Sequence, residues 1–80
     1  MFTEYVRAAL SLAKYERMPG EQGYFGEIPG FQGVWAQASS KEACRKELQE
    51  VLEEWVLFRV SEKLELPTVK GLDLSFREAV

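Results

Sequence analysis

The longest regular pattern in the chain is the apolar spacing between Ser40 and Lys63. Cys44, Leu48, Val51, Leu52, Trp55 and Phe58 recur at i, i+4, i+7 and i+8, which is one stripe of an α-helix. Val56, Leu57 and Val60 widen that stripe toward its C-terminal end. Ser39, followed three residues later by Glu42, fits a capping box, in which the two side chains satisfy backbone N–H groups orphaned at a helix start. A helix over 40–63 is roughly 35 Å long at ~1.5 Å per residue. Pro67 closes the region by disfavouring helical dihedrals at Leu66.

Ahead of this helix the pattern changes from helical to alternating. Thr3 caps a first helix over 3–12, on which Tyr5, Val6, Ala9 and Leu10 recur at helical spacing. Residues 13–18 read either as its continuation or as an edge strand, with Tyr15 and Arg17 on one face and Glu16 and Met18 on the other. Pro19-Gly20 and Gly23 mark a turn. A strand over 24–28 follows, with Tyr24, Gly26 and Ile28 opposite Phe25 and Glu27. Gly26 in mid-strand predicts a bulge or a close approach by another group. Pro29-Gly30 and Gly33 make the next connection. A strand over 34–38 then sets Val34, Ala36 and Ala38 against Trp35 and Gln37. Beyond the long helix, Leu72, Leu74 and Phe76 alternate with Asp73, Ser75 and Arg77, a half-buried strand over 72–77. The order αβββαβ predicts a two-layer α+β domain over residues 1–80: an antiparallel three-stranded sheet, a long helix across one face, and a further strand.

Composition narrows the chemistry. The chain has 80 residues, no histidine and one cysteine. Asp73 is its single aspartate. Without imidazole there is no triad and no usual general base or metal ligand. One thiol makes neither an internal disulfide nor a cysteine cluster. Glu16 or Glu27 would have to act alone, so no enzyme, cofactor or metal site is expected. The formal net charge of −3 lacks the basic excess that supplies most nucleic-acid affinity and suits a basic partner. No run approaches the ~20 apolar residues of a membrane span. The N-terminus does not resemble a signal peptide, and the cytoplasm is the expected compartment.

The residues Tyr24, Phe25, Gly26, Ile28, Pro29, Gly33, Val34, Ala36, Ser39, Glu42, Ala43, Leu52 and Trp55, in that order and spacing, resemble the HicB antitoxin family. That resemblance implies a fold similar to a partial ribonuclease H, and the binding and blocking of a small basic RNA-cleaving HicA-like toxin. It does not imply ribonuclease activity, because one aspartate cannot supply a metal-binding carboxylate cluster. Three departures stand out. No C-terminal DNA-binding segment is expected before Val80, so direct DNA binding is not expected. The first helix is additional to the family pattern. The loop reads Pro-Gly-Phe-Gln-Gly-Val-Trp, not the commoner Pro-Asp-Leu-Pro-Gly-Cys.

The candidate contact residues for a partner or a second subunit are Tyr24, Phe25, Glu27, Trp35, Glu47, Glu50 and Glu54. Phe25 and Trp35 fall on the sheet face opposite Val34 and Ala36, where they can be cross-strand neighbours. Glu47, Glu50, Glu53 and Glu54 lie off the helix stripe, either as a plain solvated face or as an acidic surface that steers a basic partner. Cys44 and Trp55 are expected in the core. Lys41, Arg45 and Lys46 open the long helix as they would in a double-stranded-RNA-binding module, but Glu42 and Glu47 interrupt them. The first helix, the aromatic sheet face and the broad helix end together exceed what one small core buries, which predicts a homo-oligomer, a dimer or tetramer.

Overall fold

The computed structural model describes residues 2–69. It has the order α1 (Phe2–Leu10), β1 (Lys14–Arg17), β2 (Tyr24–Glu27), β3 (Trp35–Ala38) and α2 (Lys41–Ser61). The expected strand over 72–77 lies outside the described residues. The strands form one antiparallel sheet in the order β1-β2-β3. Tyr15 pairs with Gly26 and Gly26 with Ala36. α2 packs on β2 and β3, and α1 packs on α2, so the fold is the two-layer α+β arrangement αβββα.

The ambiguity over 13–18 resolves as a strand. α1 stops at Leu10, two residues short of the expected end, where Leu12 and Ala13 donate backbone hydrogen bonds of 3.0 Å to Ala9 and Leu10 in a tightened last turn. Lys14 can then enter the ladder opposite Glu27. β2 and β3 are each one residue shorter than expected. Ile28 and Val34 leave the ladder and enter the connection, where the Phe31 N–H donates to Ile28 O at 3.0 Å and the Val34 N–H to Phe31 O at 3.1 Å. These successive turns, with Gly30 at φ 87° and Gly33 at φ 89°, bring Ile28, Phe31 and Val34 to one side. All three are buried. Phe31 packs between Tyr5, with ring centroids 6.3 Å apart, and Trp55, at 5.2 Å.

α2 departs from expectation at both ends. Its N-cap is Ser40, not Ser39. Ser40 has an extended backbone, φ −134° and ψ 161°, and its Oγ accepts the Ala43 N–H at 3.1 Å. Ser39 sits one residue too early to reach that amide. The buried line is Cys44, Leu48, Leu52 and Val56, a strict four-residue step. Each such step drifts about 40° around a helix of 3.6 residues per turn, so the line moves away from Phe58. Phe58 is 60% exposed and Leu57 58%, a correction to the expected stripe. The helix ends at Ser61 with Glu62 as its C-cap, and Lys63 follows at φ 58°, which lets Lys63 and Leu64 donate to Val60 O at 3.1 Å and Arg59 O at 2.8 Å, the Schellman arrangement. The Tyr5 hydroxyl donates to the Pro67 carbonyl and ties the segment after α2 back to α1.

Candidate partner-binding surface

β3 divides its side chains by alternation. Ala36 points at α2 and is buried, while Trp35 points away and is 55% exposed. Phe25 stacks on Trp35 with centroids 6.0 Å apart and planes inclined by 27°. Glu27 sits across the ladder from Trp35. A shallow groove of about 490 Å³ runs from this aromatic pair over the loop that carries Pro29 and Gln32.

A second groove, about 350 Å³, opens on the other side of Trp35. Its sheet wall is Trp35, Ala36 and Gln37; its helix wall is Glu47, Glu50, Val51 and Glu54. Glu47, Glu50 and Glu54 are all exposed. α2 therefore lays its carboxylates alongside β3, with the half-buried Val51 as the floor. Four of the seven sequence-derived contact residues, Trp35, Glu47, Glu50 and Glu54, converge on this groove, while Phe25 and Glu27 border it through Trp35. Tyr24 does not join them. It is half-buried on the α2 side and packs against the core. Gln37 and Val51 were absent from that set because the groove exists only when β3 is an outer strand, which the pattern along the chain does not specify.

The remaining candidates are occupied elsewhere. The Cys44 thiol is fully buried and donates to Ala36 O at 3.5 Å. Burial, and secondarily the Glu47 charge, hold its pKa above the ordinary thiol range, which makes it a poor nucleophile. Lys41 Nζ lies 5.5 Å from the centroid of the Tyr15 ring. The Tyr15 hydroxyl is pushed to higher pKa by burial, against the opposing pull of Arg45. Two of the three basic residues at the start of α2 are thus placed around Tyr15. Arg59 covers the Trp55 ring at 4.9 Å. Among the described residues no three metal-ligating side chains come together, and no helix is long and apolar enough to cross a membrane.

Comparison with known proteins matches residues 4–67 to the UPF0150-like family. The match begins inside α1, so most of the first helix lies within that family's extent. No curated protein matches the chain. Among solved structures, the crystal structure of TTHA0281 from Thermus thermophilus is similar, with 36% identity, a TM-score of 0.86, and coverage of 92% of this chain and 91% of that one.

Proposed function

The chain belongs to the UPF0150-like family, and from that premise we propose that it is a binding protein of the HicB-like antitoxin type, which captures and neutralises a small basic RNA-cleaving toxin. The observation that carries this reading is the groove between β3, which bears Trp35, and the α2 row of Glu47, Glu50 and Glu54. An exposed aromatic beside an acidic row suits a basic protein surface: complementary charge steers the encounter, and the ring supplies apolar contact once water is expelled. The net charge of −3 points the same way. So does the side-chain inventory, which lacks histidine.

The test is capture of the tagged chain from its own cells, with mass spectrometry of what co-purifies, followed by co-expression with the captured protein. Recovery of a small basic protein whose toxicity the chain suppresses is the expected result. Persistent toxicity, with no complex on a sizing column, rejects the reading.

A homo-oligomer is the companion proposal. Leu57, Phe58 and Leu64 are exposed at and just beyond the C-terminal end of α2, and their apolar area favours a subunit contact. Light scattering should give a mass above that of a monomer; a monomeric mass at working concentration contradicts it.

A further inference from the structure

We propose that the outer edge of β3 is a docking site for an extended basic segment of the partner, which adds a strand to the sheet and sets alternate lysine or arginine side chains against Glu47, Glu50 and Glu54. The proposal rests on the binding-protein reading above and specifies its contact.

The Met18 N–H donates to Gly23 O at 2.7 Å, which makes Met18 and Gly23 a hydrogen-bonded pair at the end of the β1–β2 ladder. Such pairs alternate along antiparallel strands. Glu16–Phe25 and Lys14–Glu27 are then hydrogen-bonded pairs as well, so Phe25 and Glu27 turn their backbone groups to β1. Tyr24 and Gly26 turn theirs the other way, to Ala38 and Ala36. A Cβ built on the neighbouring Gly23 would lie 2.1 Å from Ala38 O, as an Ala38 carbonyl directed at β2 requires. Trp35 and Gln37, opposite Glu27 and Phe25, therefore aim their N–H and C=O groups out of the sheet. Among the described residues no strand pairs with that edge.

The groove supplies the side-chain half. Glu47, Glu50 and Glu54 follow i, i+3, i+7 along α2, a rise of roughly 10 Å. Alternate side chains on a strand are spaced by about 6.6 Å, so two basic residues two positions apart can each reach a carboxylate. The side chains between them emerge beside the Trp35 ring, where an apolar or aromatic residue fits. Charge also selects the occupant. A second copy added edge to edge would bring its own glutamates against these. The phosphates of RNA would meet the same repulsion. A strand edge flanked by like charges is protected against self-pairing and left open to a basic strand, the mode known as β-augmentation.

The test uses the intact chain and a synthetic capped peptide of alternating lysine and valine. Amide exchange and chemical shifts are followed by NMR during titration. Slowed exchange at the Trp35 and Gln37 amides is expected, with the amides of Phe25 and Glu27 unmoved. Gln37→Pro removes one outward N–H without touching the β2–β3 ladder. The triple variant Glu47→Lys, Glu50→Lys, Glu54→Lys reverses the acidic row and leaves the edge intact. Each should weaken the peptide by about tenfold or more, and a glutamate–valine peptide should not bind. Absence of protection at Trp35 and Gln37, equal binding of the glutamate peptide, protection of those amides in the free chain by self-association, or their protection by duplex RNA would each overturn the proposal. The titration needs no native partner. Capture of a small basic toxin with the β3 edge unprotected in the complex sinks the docking site and leaves the antitoxin reading standing. Peptide binding with no toxin recovered does the reverse.

Discussion

The two faces of the sheet are built to opposite rules. At the centre of the α2 side the residues are small. Gly26 and Ala36 sit in register, and a Cβ added at Gly26 would come within 2.9 Å of Tyr15 Cδ1 and 3.0 Å of Cys44 Sγ. That smallness lets α2 settle close enough for Cys44, Leu48, Leu52 and Val56 to be fully buried. On the opposite side, the same strands carry Phe25 and Trp35 stacked on each other, with Trp35 more than half exposed. Apolar area left in water contributes to the free energy only when something covers it. One face therefore stabilises the monomer, and the other is available to a partner. Adjacent residues of β3 belong to different functions because the side-chain period of a strand is two.

The largest expected effect falls on the packed face. Leu48→Ala should cost ~2–5 kcal/mol, the range for emptying a buried leucine site. A domain of this size has roughly 4–12 kcal/mol in total, at ~0.05–0.15 kcal/mol per residue. The urea midpoint should therefore drop steeply. Lys46→Ala, at an exposed site on the same helix, should stay within about 0.5 kcal/mol. Equal losses at the two positions would break the division between buried line and exposed flank.

Next comes the glycine under the helix. Gly26→Ala should cost ~1–3 kcal/mol through overpacking, because the new methyl meets the Tyr15 ring and the Cys44 sulfur together. Adding Cys44→Ala should recover part of that loss and no more, since the Tyr15 ring remains in place. Denaturant midpoints of the two single variants and the double variant read this out directly. Simple additivity would mean that sulfur and glycine do not share the space.

Ser40→Ala should cost about 1 kcal/mol, the usual value of an N-cap, and Ser39→Ala distinctly less. The thermal midpoints of the two variants compare them. This pair also shows where local pattern runs out. Both serines satisfy a helix-start rule, and the choice depends on where β3 releases the chain, which is a tertiary matter. β1, where only Tyr15 is even half-buried, read equally as a continuation of the first helix. β2 and β3 were legible because each has a packed face, and burial imposes alternation. Gly26 was legible as a close-approach site for the same reason. Phe31 was not: it lies in a loop of paired turns, and its burial between Tyr5 and Trp55 is a contact between distant segments. Phe58 matched the stripe on a helical projection but fell off it, because the buried line steps by four residues and drifts about 40° around the helix at each step. The stacked aromatic pair on the outer face followed from alternation along two strands. The groove that joins Trp35 to the glutamates required knowing that β3 is the outer strand and that α2 lies along it.

A small stability effect should accompany the largest loss of recognition. Trp35→Thr keeps a residue that favours strands and forfeits the stacking on Phe25, a pair type worth ~0.5–1.5 kcal/mol at most sites. Because Trp35 is 55% exposed, the loss should lie at the low end of that range, well below that of Leu48→Ala. Binding should respond in the opposite order. Aromatic anchors dominate interface energies, and truncating one commonly costs ~2 kcal/mol or more, a drop of over tenfold in affinity for the captured partner. A folded Leu48→Ala protein, measured at a temperature where it remains native, should bind nearly as well as the parent. Isothermal titration of both variants against the same partner, set beside their unfolding midpoints, separates the two faces. If Trp35→Thr destabilised the fold as much as Leu48→Ala, or left binding intact, the outer face would be part of the core's support and the division between the faces would fail.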